Sequence, residues 1–171
     1  LTGIIAALQT TGAASGRYVG SHPMAGSQYT GPLTADPDLF VDRTWVVTPH
    51  AASTEAAIAV VEALALSCRA RVVQMPADAH DRAVAQMSHL PQLMSTLTAG
   101  HLREVPAQNL PLAGQGIRDV TRIAGSDPVL WRQIIGANAA AIRAELLGVR
   151  DDMDELLGVL DDPQALEAFL A

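Results

Sequence analysis

Every strand-like run in this sequence lies before residue 76, which restricts the chain to an α/β part followed by a wholly helical part. Runs of β-branched and aromatic side chains predict three short strands, at residues 17–20, 44–48 and 71–75. Beyond residue 76, apolar side chains recur only at helical spacing. We therefore predict an α/β domain over residues 1–75 and an all-α domain over residues 76–171.

Helical periodicity also marks residues 1–14 and a segment from Ser53, a predicted N-cap, to about Arg69. In the second part, residues 81–97 are expected to form a helix that Pro91 bends or divides. Its predicted buried stripe contains Val84, Met87, Leu90, Leu93 and Met94.

The sequence Ser126-Asp127-Pro128 is typical of a helix start. The buried side predicted after it contains Trp131, Ile134, Ile135, Ile142 and Leu146. Within this stripe, we interpret Asn138 as a buried hydrogen-bonding residue between helices. A further helix is expected over residues 153–160.

Charge and cysteine content limit the partners that we expect. The formal net charge is -7, and no Lys/Arg cluster favours binding to nucleic acid or to an anionic membrane. Cys68 is the single cysteine, and no apolar run is long enough to cross a bilayer, so we expect a cytoplasmic protein. Because the chain opens with Leu1 inside a predicted helix, we interpret it as part of a longer protein.

The first candidate site is His22, within Ser21-His22-Pro23-Met24-Ala25-Gly26-Ser27 at the exit of a predicted strand. A neutral imidazole there could accept a proton from a substrate hydroxyl near pH 7. The alternative is a histidine that only hydrogen-bonds to the loop backbone.

The second candidate is Asp78-Ala79-His80-Asp81 together with Ser88-His89-Leu90-Pro91. His80 and His89 fall about half a turn out of phase on a straight helix, so we predict no metal site. The alternative is that Asp78 or Asp81 caps a helix and that the histidine is satisfied internally.

The third candidate is the segment Arg118-Asp119-Val120-Thr121-Arg122, which follows Gly114-Gln115-Gly116. A guanidinium held by a carboxylate one turn away could grip a substrate carboxylate bidentately. The alternative is an ordinary surface ion pair. No Gly-x-Gly-x-x-Gly follows a strand, so a dinucleotide pyrophosphate has no visible site in this chain.

Taken together, these motifs and the run from Leu39-Phe40 to Thr48-Pro49 have the order and spacing of the prephenate/arogenate dehydrogenase family, which the sequence resembles over nearly its whole length. The resemblance implies the C-terminal part of a Rossmann-type nucleotide-binding domain over residues 1–75. It implies a helical substrate-binding and dimerisation domain over residues 76–171, and hence a homodimer.

The resemblance also implies an activity, namely oxidative decarboxylation of prephenate with hydride transfer to NAD or NADP in tyrosine biosynthesis. His22 and Arg122 correspond to catalytic residues that act on the ring hydroxyl and on a substrate carboxylate. Cofactor contacts are expected from Pro23, Met24 and Gly26. Substrate contacts are expected from Ser88, His89, His80, Asp119, Gln92 and Gln28.

Gln92 and Gln28 depart from the family pattern, which has a histidine at the first position and often a carboxylate at the second. Arogenate therefore stays open as the substrate. A second alternative is a non-catalytic helical dimerisation module, because the helical part presents Ala/Leu-rich faces.

Overall fold

The computed structural model describes residues 1–11, 15–26 and 32–171 and forms two compact units, Leu1–Ala83 and Val84–Ala171. The first unit contains a small sheet with helices, and the second contains helices only in its described residues. The fold class predicted from the sequence is confirmed. The two units divide inside a helix that begins at Ala77, and the domain boundary at residue 76 stays a prediction.

The described residues of the first unit form three strands and three α-helices. In chain order they are α1 (Thr2–Thr11), β1 (Gly20–Pro23), β2 (Thr44–Thr48), α2 (Glu55–Ser67), β3 (Arg71–Gln74) and α3 (Ala77–Val84). Short 3-10 turns cover Ser15–Arg17 and Pro32–Thr34.

Five α-helices, a π-helical turn and several 3-10 turns make up the second unit. The π turn is Ala85–His89, and the helices are α4 (Leu90–His101), α5 (Gln115–Thr121), α6 (Pro128–Ala137), α7 (Ala139–Val159) and α8 (Pro163–Leu170). The 3-10 turns are Leu102–Glu104, Ala107–Leu112 and Arg122–Gly125. Among the described residues, no helix combines the length and apolarity needed to span a bilayer.

The sheet is organised around β2, which pairs antiparallel with β1 and parallel with β3. Four of the five β2 residues are buried, on both faces of the strand. Trp45 and Val47 face Ala65 of α2 and Ala70 to form the core of the unit. Burial of these side chains on one face supplies the main hydrophobic stabilisation of the sheet.

The first strand lies later in the chain than predicted. Residues 15–17 form a 3-10 turn, and the strand spans Gly20–Pro23, so His22 lies within β1 and not in a loop after it. Ser, His and Pro are poor strand formers, but the antiparallel pairing with β2 supplies backbone hydrogen bonds that override this preference. Pro23 is tolerated because it ends a strand at the sheet edge.

The start of α2 is one residue later than predicted, because Thr54 and not Ser53 is the N-cap. The Thr54 side chain accepts a hydrogen bond from the amide of Ala57. Ser53 instead donates its hydroxyl to the Tyr18 carbonyl, 3.0 Å away. The helix ends before Arg69, whose φ of 58° lies in the left-handed region.

The stripe predicted over residues 81–97 is wrong at Met87, which is 78% exposed. The reason is the π turn at Ala85–His89, whose wider turn takes up an extra residue and changes which side chains face inward. His89, Gln92 and Ser95 are buried instead. Pro91 lies two residues after this turn, and an α-helical path there would set its ring against the carbonyl four residues earlier.

The helix predicted to continue through Asn138 is interrupted there, because Asn138 is the C-cap of α6 with φ of −123°. Residues 153–160 form no separate helix, since α7 runs without a break to Val159. The predicted inward side is nevertheless retained across the interruption. Its five residues, Trp131, Ile134, Ile135, Ile142 and Leu146, are all buried or half-buried.

We predict that Gly20→Ala destabilises the first unit by about 1–3 kcal/mol, because a Cβ at Gly20 would lie 2.5 Å from Oγ1 of the fully buried Thr48. Urea unfolding measures this change. Gly26→Ala is the matched control, since a Cβ there meets no atom within 4 Å. Equal stability of the two variants would contradict this packing at Gly20.

Candidate functional site

Two histidines and a carboxylate form a hydrogen-bonded chain in the first unit. The His22 Nδ1 atom lies 2.9 Å from His80 Nε2, and His80 Nδ1 lies 2.9 Å from Asp81 Oδ1. The two imidazole rings meet edge to face, with centroids 5.1 Å apart. His80 and Asp81 are buried, so this hydrogen-bonded chain of side chains is largely shielded from solvent.

Local structure explains how residues 58 positions apart meet. In β1, His22 pairs with Val46 at the centre of the antiparallel ladder, which fixes its backbone. The α3 helix starts at Ala77, shortly after β3, and the His80 amide already donates to the Pro76 carbonyl. Asp78 of the same turn faces solvent and pairs with Arg82.

Asp81 also accepts hydrogen bonds at the start of α1. The Leu1 amino nitrogen lies 2.7 Å from Oδ1, and the Thr2 amide and hydroxyl lie 3.0 and 2.7 Å from Oδ2. Burial alone raises the pKa of this carboxyl, but the hydrogen bonds from Leu1, Thr2 and His80 outweigh burial and hold its pKa well below the usual value. Asp81 is therefore ionised at neutral pH.

Asp81 was not among the site residues selected from the sequence, where it was interpreted as a possible helix cap. It does cap a helix, but that helix is α1, about eighty residues earlier in the chain. The sequence signal that could have identified Asp81 as a partner of His80 was its position directly after that histidine. Adjacency alone does not reveal that the two side chains bond to each other.

The segment after His22 is already fixed internally. The Met24 amide donates to the Thr44 carbonyl at 2.7 Å, and the Ala25 amide donates to the Pro23 carbonyl at 2.8 Å. Gly26 is exposed, with open space where a Cβ would stand. The segment therefore offers a ligand an accessible surface at Gly26 and no spare amides at residues 24 and 25. Gln28 lies outside the described residues.

In the second unit, His89 is buried at the end of the π turn and contacts two other helices. Its Nδ1 lies 3.2 Å from the side-chain amide nitrogen of Asn138, between α6 and α7. Its ring meets Trp131 of α6 edge to face at 6.2 Å. The interpretation of Asn138 as a hydrogen-bonding residue between helices is borne out, although it is half-buried. Ser88 beside His89 is half-buried.

Gln92 holds the 3-10 turn that carries Arg122. Its Nε2 donates to the Ile123 carbonyl at 2.9 Å, and the side chain is only 5% exposed. The same carbonyl accepts from the amide and hydroxyl of Ser126, at 3.2 and 2.7 Å. Gln92 is thus anchored to the backbone next to Arg122, and its contact with substrate stays a prediction.

Arg122 has an exposed side chain and, among the described residues, forms no ion pair with Asp119. The predicted carboxylate–guanidinium pair is absent because α5 ends at Thr121, and Asp119 accepts instead from Gln115 at 2.7 Å. Arg118 donates to the Ala113 carbonyl. Arg122 is therefore the arginine of this segment that is exposed and forms no side-chain hydrogen bond or ion pair within the described part of the chain.

Two family descriptions match this chain and together cover nearly all of it. Residues 2–74 match the nucleotide-binding domain of prephenate dehydrogenase, and residues 76–170 match its dimerization domain. This chain belongs to the prephenate dehydrogenase family. The first unit is accordingly the α/β remnant of a Rossmann-type domain, and helices of the dimerization domain follow it.

Individual relatives agree with this assignment. The chain is 36% identical over 143 residues to the probable prephenate dehydrogenase NovF of Streptomyces niveus, covering 83% of this chain and 40% of that protein. A crystal structure of Synechocystis arogenate dehydrogenase matches with a TM-score of 0.79 and 27% identity, over 91% of this chain and 58% of that one.

A third match shows the fold alone. It is prephenate dehydrogenase from A. aeolicus in complex with hydroxyphenyl propionate and NAD+, with a TM-score of 0.86 and 24% identity over 98% of this chain and 59% of that one. The chain therefore spans between 40% and 59% of the length of these relatives.

We predict that Gln92→Leu destabilises the Arg122–Gly125 turn, because it removes one of three hydrogen bonds to the Ile123 carbonyl while keeping side-chain bulk. The expected loss is about 1 kcal/mol, with faster amide hydrogen exchange in the turn. Gln86→Leu is the control, since Gln86 is exposed and bonds only to Glu145 in the described chain. Unchanged exchange in Gln92→Leu would contradict this anchoring role.

Proposed function

We propose that the full-length protein containing this chain oxidatively decarboxylates prephenate to 4-hydroxyphenylpyruvate with NAD or NADP as hydride acceptor. The observation that carries this proposal is the hydrogen bond between His22 and the buried His80, whose other nitrogen meets an ionised carboxylate. A histidine supported in this way is suited to proton exchange near neutral pH. Membership of the family supplies the substrate class.

His22 is proposed to act on the hydroxyl of the substrate ring. As the hydride leaves the ring carbon that bears this hydroxyl, the oxygen becomes more acidic and shares its proton with the imidazole. The C–C bond to the ring carboxylate then breaks, carbon dioxide leaves, and the bonding pair completes the aromatic ring. The proton returns to the phenol oxygen, so the residue is regenerated in each turnover.

The nicotinamide, when bound, supplies the hydride-accepting carbon. The residues proposed near it are Pro23, Met24 and Gly26, and the open, exposed backbone at Gly26 suits the approach of a flat ring. The amides of residues 24 and 25 are already used, so this segment contributes shape and not hydrogen-bond donors. The NAD+ complex of the A. aeolicus enzyme supports a nicotinamide cofactor without deciding between NAD and NADP.

Arg122 is proposed to bind a carboxylate of the substrate through its exposed guanidinium. A planar guanidinium can make two parallel hydrogen bonds to a carboxylate, which gives both affinity and orientation. Ser88, His89, Asp119, Gln92 and Gln28 are proposed to shape the substrate pocket, and His80 to support His22.

Arogenate is the second candidate substrate, favoured by the similarity to the Synechocystis arogenate dehydrogenase. We also propose a homodimer. The dimerization-domain match supports it, as do exposed apolar side chains on or next to α7, including Met153, Leu157 and Leu160. The cytoplasmic location inferred from the single cysteine stays a prediction.

The test is nicotinamide reduction by the full-length protein with prephenate or arogenate and with NAD or NADP. His22→Asn is expected to lower kcat by about 10²–10⁴-fold, because a neutral amide cannot take up the hydroxyl proton. Arg122→Ala should raise KM by about 10–100-fold through loss of a charge-assisted contact.

Matched controls use residues of the same type. His101→Asn alters a histidine at the end of α4, and Arg118→Ala alters an arginine that bonds to the Ala113 carbonyl. Both controls should keep near wild-type kinetics. A folded full-length dimer that turns over neither substrate with either cofactor would overturn the dehydrogenase and favour the non-catalytic dimerisation module.

A further inference from the structure

We propose that Asp81, acting through His80, fixes which ring nitrogen of His22 carries the proton. Asp81 and His80 would then be positioning residues for the base, a role that rests on the proposed function of His22. The starting point is the uninterrupted sequence of two contacts, His22 Nδ1 to His80 Nε2 and His80 Nδ1 to Asp81 Oδ1, each 2.9 Å long.

The direction of the hydrogen bond between His80 and Asp81 follows from the carboxylate. An ionised carboxylate can only accept, and the Thr2 amide and hydroxyl, both bonded to Oδ2, favour the ionised form of Asp81. His80 Nδ1 must therefore carry a proton and donate it to Asp81. In neutral His80 the other nitrogen, Nε2, then holds a lone pair.

The direction of the hydrogen bond between His22 and His80 follows from that of the bond between His80 and Asp81. Because His80 Nε2 is an acceptor, His22 Nδ1 must carry the proton and donate to it. Neutral His22 is then left with its lone pair on Nε2, which is the form that can take a proton from a hydroxyl. Reversal of the chain would place the His22 proton on Nε2 and remove this capacity.

The same arrangement suits the protonated state of His22. When Nε2 gains a proton, Nδ1 keeps its own and continues to donate to His80, so no hydrogen bond has to change partner. The buried carboxylate stabilises the positive charge through the intervening ring, and its burial limits screening by water. The carboxylate is itself held by Thr2 at the start of α1, which fixes its position.

A purely structural role for Asp81 is the rival explanation, because the same carboxylate caps α1. The two roles differ in what they predict. Loss of the cap lowers stability and leaves the proton position in His22 unchanged. Loss of the hydrogen bonds from His22 through His80 to Asp81 moves that proton, whether or not stability changes.

The test is long-range ¹H–¹⁵N spectroscopy of the full-length protein labelled with ¹⁵N-histidine, at a pH of about 8 where neutral imidazoles dominate. The His22 signals are identified by their loss in His22→Asn. In the wild type we expect a protonated Nδ1 and an unprotonated Nε2. In Asp81→Asn, where the amide can donate to His80 Nδ1, we expect the His22 proton on Nε2 and kcat lowered by about 10²-fold or more with a smaller change in KM.

Two further variants distinguish the role of Asp81 in the hydrogen bonds to His80 and His22 from its role as the cap of α1. His80→Phe keeps the Asp81 cap and removes the acceptor for His22 Nδ1, so it should move the proton and lower kcat even if Asp81→Asn does not fold. Thr2→Val removes one donor to Asp81 but leaves both histidine contacts, so it should lower stability without changing the His22 signals.

Either of two results would overturn the inference, namely a wild-type His22 protonated on Nε2, or an unchanged His22 proton in both Asp81→Asn and His80→Phe. Absence of turnover in the wild type, with the His22 signals as expected, would count against the dehydrogenase function alone and would support the hydrogen-bond chain.

Discussion

The pairing of β2 with a neighbour on each edge is the constraint on which the first unit depends. Its antiparallel ladder with β1 places His22 opposite Val46, and its parallel ladder with β3 leads the chain toward the start of α3. A one-residue slip of the ladder between β1 and β2 would turn the His22 side chain to the opposite face of the sheet, away from His80. The position of His22 relative to His80 therefore depends on the register between β1 and β2, which is set by backbone pairing and not by any residue of the candidate site.

Much of this fold could be predicted from local sequence, because β2 and β3 each contain two adjacent valines and Asp127-Pro128 starts a helix in the usual way. The first strand was misplaced because its residues favour strands only weakly, and pairing with β2 decides their conformation. The exposure of Met87 was missed for a related reason. Periodicity assumes 3.6 residues per turn, and a π turn does not obey that spacing.

For the candidate site too, local sequence signals could be read in advance and contacts between distant residues could not. His22, His80 and Arg122 could be selected from motifs, since each carries chemistry that its residue type makes recognisable. Their partners could not be selected in this way, because the contacts join distant residues. Gln92 bonds to a backbone carbonyl, which has no sequence signature, and the Asp119–Arg122 pair suggested by spacing fails because the helix ends between them.

The π turn also changes what counts as an equivalent position in other sequences. The residue that such a turn adds is taken up by its greater width, so a segment with one residue fewer between Val84 and Leu90 could present the same inner face as a plain α-helix. An alignment that allows no gap here would compare Met87 with core positions and shift His89 away from its counterpart. The number of residues in this short stretch therefore reflects whether the backbone forms a π turn or an α turn. A single insertion or deletion there can leave the inward-facing side chains in place, whereas a substitution of one of those side chains would change the core.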